Sequence, residues 1–257
     1  MRKLMIIVMC LMLGGCSFGE TVTTGSDYSA VDNKSYGWGI KKVQNSEPEV
    51  PQNIKDMLSE CGSVYIGDTS SKKLYLTFDE GYENGYTAEI LDVLKEKGVQ
   101  AVFFITGDYL NRSAELVKRM VDEGHIVGNH TEGHKNLPKL STEDLAAEIS
   151  ALSERFYNEF GVPMKYMRPP EGEYSRRVLT VAEDMGYKTV FWSFAYKDWV
   201  ADDVKGADYA VGQIMPYLHN GAIILLHAVS PDNAKALPVV IDKAREAGYE
   251  FCSIDEI

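Results

Sequence analysis

From Lys73 onward the chain alternates short apolar runs with amphipathic stretches, the pattern of strands buried on both faces and helices that cover them. Leu74-Tyr75-Leu76-Thr77-Phe78 reads as a strand, and residues 84–97 as a helix with Ile90, Leu91 and Leu94 on one face, stopped at Gly98. Residues 101–105 form the next strand. Residues 113–123 repeat the helical spacing through Leu116, Val117 and Met120, Gly124 closes it, and His125-Ile126-Val127-Gly128-Asn129 is strand-like. Ser141, with an acid three positions on at Asp144, marks another helix start. Helices over 178–185, 209–218 and 234–247 then alternate with strands over 188–192, 222–226 and 249–251, with Gly186, Asn220-Gly221 and Gly248 as stops. About seven such units predict an α/β fold with a parallel sheet, closed as a small or incomplete barrel or open and doubly wound.

The N-terminal quarter follows another pattern. After Met1-Arg2-Lys3 comes an apolar run over residues 4–13, the length of a signal-peptide h-region and about half that of a membrane span. It ends in Leu13-Gly14-Gly15-Cys16, which resembles the lipobox of bacterial lipoproteins. The expectation is a signal over 1–15 and a lipid on Cys16 holding the chain to the cell membrane. An ordinary cleaved signal or an uncleaved anchor are the alternatives, and each exports the protein. Residues 16–35, rich in Ser, Thr, Gly and Asp, read as a flexible tether. Residues 36–71, with Tyr36-Gly37-Trp38-Gly39, Pro48, Pro51 and a helical pattern near Ile54 to Leu58, read as an arm packed on the domain over 72–257.

With 257 residues, of which 45% are hydrophobic, the chain can bury one substantial core. The net charge of −12 argues against nucleic acid as a partner, because phosphate contacts need clustered Lys and Arg. Four cysteines include Cys10 and Cys16 in the leader; Cys61 and Cys252 are either a disulfide or two buried thiols. A monomer is expected.

Several reactive side chains fall just after predicted strands: Asp79 and Glu80, His130, and His227. In parallel βα folds the carboxyl ends of the strands build the active site. Each has a plainer reading. Asp79-Glu80 alone suits an acidic helix cap, and His130 with His134 suits two surface imidazoles as well as a zinc pair. Arg168 before Pro169-Pro170 suits an ion pair, Asp198-Trp199 a loop acid beside a core indole, and His227 a satisfied core histidine. His125 and His219 read as structural.

Taken together these positions resemble the polysaccharide deacetylases, the NodB-homology domain of carbohydrate esterase family 4, over roughly residues 72–257. Thr77-Phe78-Asp79-Glu80-Gly81 stands where Thr-Phe-Asp-Asp-Gly is usual, and His130-Thr131-Glu132-Gly133-His134 fits the His-Ser/Thr-x-x-His metal motif. Arg168-Pro169-Pro170-Glu171-Gly172, Asp198-Trp199 and Leu225-Leu226-His227 fit the remaining three. Within the family Gly81-Tyr82-Glu83-Asn84, Trp192-Ser193-Phe194-Ala195-Tyr196 and the stretch 227–234 resemble the delta-lactam-biosynthetic de-N-acetylases of spore cortex peptidoglycan, as does the Tyr36-Gly37-Trp38-Gly39 arm.

The resemblance implies a distorted (β/α)7 barrel and a metal-dependent amide hydrolase acting on an amino sugar of peptidoglycan. It makes His130, His134 and Glu80 the ligands of a divalent ion, Zn²⁺ foremost, and Asp79 the general base held by Arg168. His227 becomes the general acid oriented by Asp198, the Glu171 backbone part of the oxyanion hole, and Trp199 a wall of the acetyl pocket. The implied substrate is N-acetylmuramic acid freed of its peptide, with N-acetylglucosamine or a chitin oligomer as the alternative. Glu80 departs from the usual aspartate, which leaves open weak metal binding or a non-catalytic wall-binding lipoprotein. A glycosidase would also use two carboxylates, but gives no reason for three histidines to gather.

Overall fold

The computed structural model describes residues 27–257. The expected signal and the lipidation site Cys16 lie outside them. Strands β1 (Tyr36–Gly37), β2 (Lys41–Val43) and β3 (Ser46–Glu49) and helix α1 (Gln52–Glu60) make up the arm. The main domain then runs β4 (Lys73–Glu80), α2 (Thr87–Lys97), β5 (Ala101–Ile105), α3 (Gly107–Arg112), α4 (Ala114–Asp122), β6 (Ile126–Asn129), α5 (Thr142–Phe160) and β7 (Tyr166–Met167). It continues with β8 (Glu173–Tyr174), α6 (Arg176–Asp184), β9 (Lys188–Thr189), α7 (Ala207–Ile214), β10 (Ala222–His227), α8 (Pro231–Glu246) and β11 (Glu250–Phe251).

Seven strands form one parallel sheet in the order β10-β4-β5-β6-β7-β9, with β11 beside the start of β4. β4 and β5 are buried almost throughout, as central parallel strands must be when both faces are covered. The sheet curls, and its two edges meet through bridges. Val64 of the arm pairs with Val190 beyond β9, Ile66 pairs with Ala222 at the start of β10, and Phe194 pairs with Ile224. The barrel is distorted because this seam is closed by an arm segment and an isolated bridge instead of by a full strand.

That seam also explains where element limits depart from the sequence pattern. The strand read over 188–192 stops as a ladder at Thr189, since the residues beyond it change partners to cross the seam. The helix read from 84 begins at Thr87, because Gly85 has φ +91° and its N–H is taken by the Glu83 carboxylate at 2.5 Å. Helix α3 was not legible; Thr106 caps it, accepting from the Tyr109 N–H at 3.1 Å. Ser141 caps α5 as its spacing predicts, through the Asp144 N–H at 3.0 Å.

The expected tether over 16–35 is corrected at its end. Tyr28 is buried and donates to Asp184 at 2.8 Å, and Ser175 donates to Asn33 at 2.7 Å, so residues 28–33 belong to the folded surface. The arm is likewise integral. Trp38 is buried against Phe191 and Tyr65, with ring centroids at 4.8 and 5.2 Å, and its indole N–H donates to Trp192 O at 2.9 Å. Cys61 and Cys252 are both free buried thiols.

Candidate active site

The carboxyl ends of the sheet open onto a cleft of about 900 Å³, lined among others by Asp79, His130, His134, Glu171, Trp192, Trp199 and His227. Asp79 is the last residue but one of β4 and His227 ends the neighbouring β10, and the two are partners in the parallel register. Register partners point to the same face of a sheet, so this acid and this imidazole leave the barrel side by side.

Arg168 organises the floor. Its side chain is fully buried, with Nη1 donating to Asp79 Oδ1 at 2.7 Å and Thr77 Oγ1 at 3.0 Å. Nε donates to Val190 O at 2.9 Å and Nη2 to Phe191 O at 3.1 Å. The guanidinium also lies 4.2 Å from the Phe104 ring centroid. Four hydrogen bonds and a stacked ring leave it one orientation, and Asp79 inherits that order. Burial by itself would raise the Asp79 pKa, but Arg168, His130 and His227 attract its negative charge and hold it below the ordinary aspartate range. Asp79 is therefore ionised at neutral pH, as a proton acceptor must be.

His227 is tuned in the opposite sense. Its Nδ1 lies 2.7 Å from Asp198 Oδ1, and its backbone N–H donates to Asp198 Oδ2 at 2.8 Å. Burial disfavours the imidazolium, yet the Asp198 carboxylate and its hydrogen bond, joined by Asp79, outweigh that and raise the pKa above that of a free imidazole. Asn233 Nδ2 donates to Asp198 Oδ2 at 2.5 Å, and the Tyr196 hydroxyl bonds Asn233 Oδ1. With both oxygens engaged, Asp198 cannot serve as the second free carboxylate of a glycosidase pair. Trp199 stands 5.7 Å from the His227 ring and is 51% exposed, a rim residue of the cleft.

His130 follows β6, and its Nδ1 lies 2.8 Å from Arg168 O, which accepts its N–H and leaves Nε2 as the unprotonated nitrogen. Burial pushes its pKa down to about 4, so the ring is neutral at pH 7. His134 stands 4.9 Å away between ring centroids. The loop joining them is a turn, with Thr131 at φ +70° and His134 at φ +51°, held by Thr131 N–H to Asn129 Oδ1 at 2.8 Å and His134 N–H to Thr131 Oγ1 at 3.0 Å. Two imidazoles side by side in one cleft suit a divalent ion of the zinc type.

The third expected ligand is not with them. Glu80 is fully buried, lies outside the cleft lining, and finds no hydrogen-bond partner for either carboxylate oxygen among the described residues. Strand alternation is the reason: Asp79 faces the cleft, so the next residue of β4 faces the helical layer toward Tyr109. Burial first, then Glu83 and Asp79, pushes its pKa well above the ordinary range. Among the described residues no three His, Cys, Asp or Glu side chains are grouped to hold a metal. The donor set fits an ion in kind and falls one protein ligand short.

Glu171 lines the cleft with φ +57°, followed by Gly172 at φ +67°, and the loop is pinned by the Trp38 N–H donating to Gly172 O at 2.8 Å. A β-carbon on Gly172 would lie 2.8 Å from the Trp192 ring, so only glycine fits there. His125 and His219 are structural. His125 Nδ1 accepts from Ala101 N–H at 3.2 Å, and His219 bonds Ser193 Oγ at 2.9 Å. The cleft also takes in Ile40 and Lys42 from the arm, to which the sequence pattern assigned no role.

The family model described as polysaccharide deacetylase matches residues 66–190. The chain is 40% identical over 249 residues to the peptidoglycan-N-acetylmuramic acid deacetylase PdaA of Bacillus subtilis, covering 96% of this chain and 91% of that protein. It is 33% identical over 188 residues to the peptidoglycan-N-acetylglucosamine deacetylase PgdA of Listeria monocytogenes, covering 73% of this chain and 39% of that protein. The solved structure of Bacillus subtilis PdaA, a family 4 carbohydrate esterase, superposes with a TM-score of 0.86 at 41% identity, covering 88% of this chain and 97% of the other. This chain belongs to the polysaccharide deacetylase family of carbohydrate esterase family 4.

Proposed function

We propose that this protein removes the acetyl group from N-acetylmuramic acid of peptidoglycan, on sugars whose peptide has already been cleaved, as the step before muramic delta-lactam formation in spore cortex. The observation that carries this reading is the 40% identity to a muramic acid deacetylase over 96% of the chain, arm included. The glucosamine-specific relative is less similar over a shorter stretch.

The chain's own residues divide the hydrolysis between them. Asp79, ionised beside Arg168, takes a proton from the water that attacks the acetyl carbon. His227, protonated beside Asp198, gives a proton to the departing amine, so the carbon–nitrogen bond breaks to acetate and a free amino sugar. The left-handed turn at Glu171 offers the Glu171 backbone N–H to the developing oxyanion, while the Gly172 N–H is taken by Pro169 O at 3.1 Å. Trp199 covers one side of the acetyl group.

His130 and His134 would hold a divalent ion, with Zn²⁺ the best match to two imidazoles. When bound, the ion polarises the acetyl carbonyl and acidifies water. Deacetylases of this family are generally metal-dependent. Glu80 as placed would contribute no oxygen, which favours weak binding.

The freed amine and the lactyl carboxyl belong to one sugar, which makes lactam closure an intramolecular reaction. The enzyme acts outside the cytoplasm, where its glycan substrate is. A lipid on Cys16 tethers it there, and Cys16→Ala is expected to release it from membranes. To test the substrate, glycan strands with and without prior amidase treatment are incubated with the protein and the fragments weighed. Loss of one acetyl group from muramic units of amidase-treated strands is the expected result. Loss from glucosamine units alone would move the assignment to the alternative substrate, and no acetate release at all would support a binding role.

A further inference from the structure

The charges of the cleft run against those of the chain. The protein carries a net charge of −12, yet most cleft carboxylates are already matched. Asp79 faces Arg168 at 2.7 Å, Asp108 faces Arg112 at 2.8 Å, and Glu132 faces Arg155 at 2.5 Å. Three charged residues of the lining remain, Glu171 on one side of the account and Lys42 and Lys197 on the other, and neither lysine makes an ion pair among the described residues. Glu173, the other acid next to the Glu171 turn, is not part of the lining and accepts from Ser35 at 3.1 Å.

Lys42 is the more constrained of the two. It sits on β2 after Lys41, and strand alternation separates them: Lys41 reaches across the hairpin to Glu49 at 2.8 Å, whereas Lys42 turns to the cleft. Its ammonium lies 5.2 Å from the Phe194 ring centroid and 4.8 Å from that of Tyr217. The hairpin is anchored beside that ring by the Asn45 N–H, which donates to Pro216 O at 2.9 Å. Partial burial lowers the Lys42 pKa with no carboxylate close enough to oppose it. A partly desolvated cation without a counter-ion is unfavourable in the free protein and becomes favourable when a bound anion completes the pair.

We propose that Lys42, with Lys197 supplying a second ammonium, forms a carboxylate subsite that receives the free lactyl group of a peptide-stripped muramic residue. This rests on the muramic acid reading above. In that sugar the lactyl ether is on the carbon next to the one bearing the acetamide. A substrate whose acetamide lies between Asp79 and His227 therefore carries its carboxylate into the same cleft. An attached peptide turns that carboxylate into a neutral amide and forfeits the attraction. The subsite thus selects for sugars already stripped of peptide, and it offsets the repulsion from Glu171.

The test uses the full-length protein and two glycan preparations, amidase-treated strands with free lactyl carboxylates and the same strands after conversion of those carboxylates to primary amides. Wild-type protein is expected to show a KM lower by roughly tenfold on the acid strands, the size of one charge-assisted contact. Lys42→Met is expected to remove most of that difference by raising KM on acid strands alone, and Lys42→Arg to restore part of it. Lys197→Met gives a smaller change of the same kind. Equal KM values of the wild type on both preparations, with acetate still released from muramic units, would overturn the subsite and leave the muramic reading standing. An effect confined to Lys197→Met would overturn the role of Lys42. No acetate from muramic units of either preparation would reject the substrate reading itself and the subsite with it.

Discussion

Asp198 holds His227 at two points, through the ring Nδ1 at 2.7 Å and through the backbone N–H at 2.8 Å. One carboxylate therefore sets both the direction of the imidazole and its affinity for a proton. The raised pKa of His227 keeps its imidazole protonated to higher pH than a free imidazole, so with His227 as the proposed general acid, activity is expected to fall as pH rises through that value. Asp198→Asn removes the charge that raises it, so the alkaline limb of the kcat profile moves to lower pH. The accompanying loss of kcat is roughly 10²–10⁴-fold, the usual worth of a positioned acid. An alkaline limb unchanged in Asp198→Asn would assign the acid to another group.

Asp79→Asn is expected to abolish turnover, because an amide cannot take the proton from water. It also leaves the fully buried Arg168 without its counter-ion. Breaking one side of a buried pair costs about 3–5 kcal/mol, so urea denaturation should show a large loss of stability alongside the loss of rate. Normal turnover in this variant would place the base elsewhere, and wild-type stability would mean that Thr77 and the carbonyls already satisfy Arg168.

Behind Asp198 stand Asn233, which donates to it, and Tyr196, which lines the cleft and bonds Asn233. Asn233→Ala removes the donor to Asp198 Oδ2 and should shift the pH profile of kcat, because the carboxylate then loses a bond that fixes it. Tyr196→Phe leaves Asn233 Oδ1 without its hydroxyl partner and should cost about 1–3 kcal/mol in stability, with a smaller effect on rate. A Tyr196→Phe variant as stable as wild type would show that the hydroxyl is dispensable.

Metal binding separates the two expected ligand groups. Chelation should abolish activity, and added Zn²⁺ should restore it. His134→Ala should lose most of the Zn²⁺ affinity measured by competition with a chromophoric chelator, whereas Glu80→Gln should change it by less than about tenfold, the smaller end of what an outer partner contributes. A larger loss in Glu80→Gln would mean that this carboxyl turns into the cleft when the ion binds.

What could be read from the chain without a structure was the part governed by local rules. The period of the apolar runs located most strands and helices, Ser141 and Gly98 marked helix ends, and the positions of Asp79, His130, Arg168 and His227 after apolar runs placed them at one end of a parallel sheet. Strand alternation puts Asp79 and Glu80 on opposite sides of β4, against the expectation that both serve one site.

Long-range packing decided the rest, because contacts between residues far apart in sequence leave no local period. No pattern shows that Val64 and Ile66 seal the barrel seam, that Trp38 pins the Glu171 turn, or that Tyr28 is buried among the helices. That neither Glu80 nor the Lys42 ammonium finds a charge partner among the described residues is likewise a tertiary fact, set by what the fold brings near each group. The sequence by itself determined which chemical groups the protein owns and on which end of its strands they stand. Their charge states and their shared cleft were decided by the closed sheet, since burial and neighbouring charges exist only once distant segments have met.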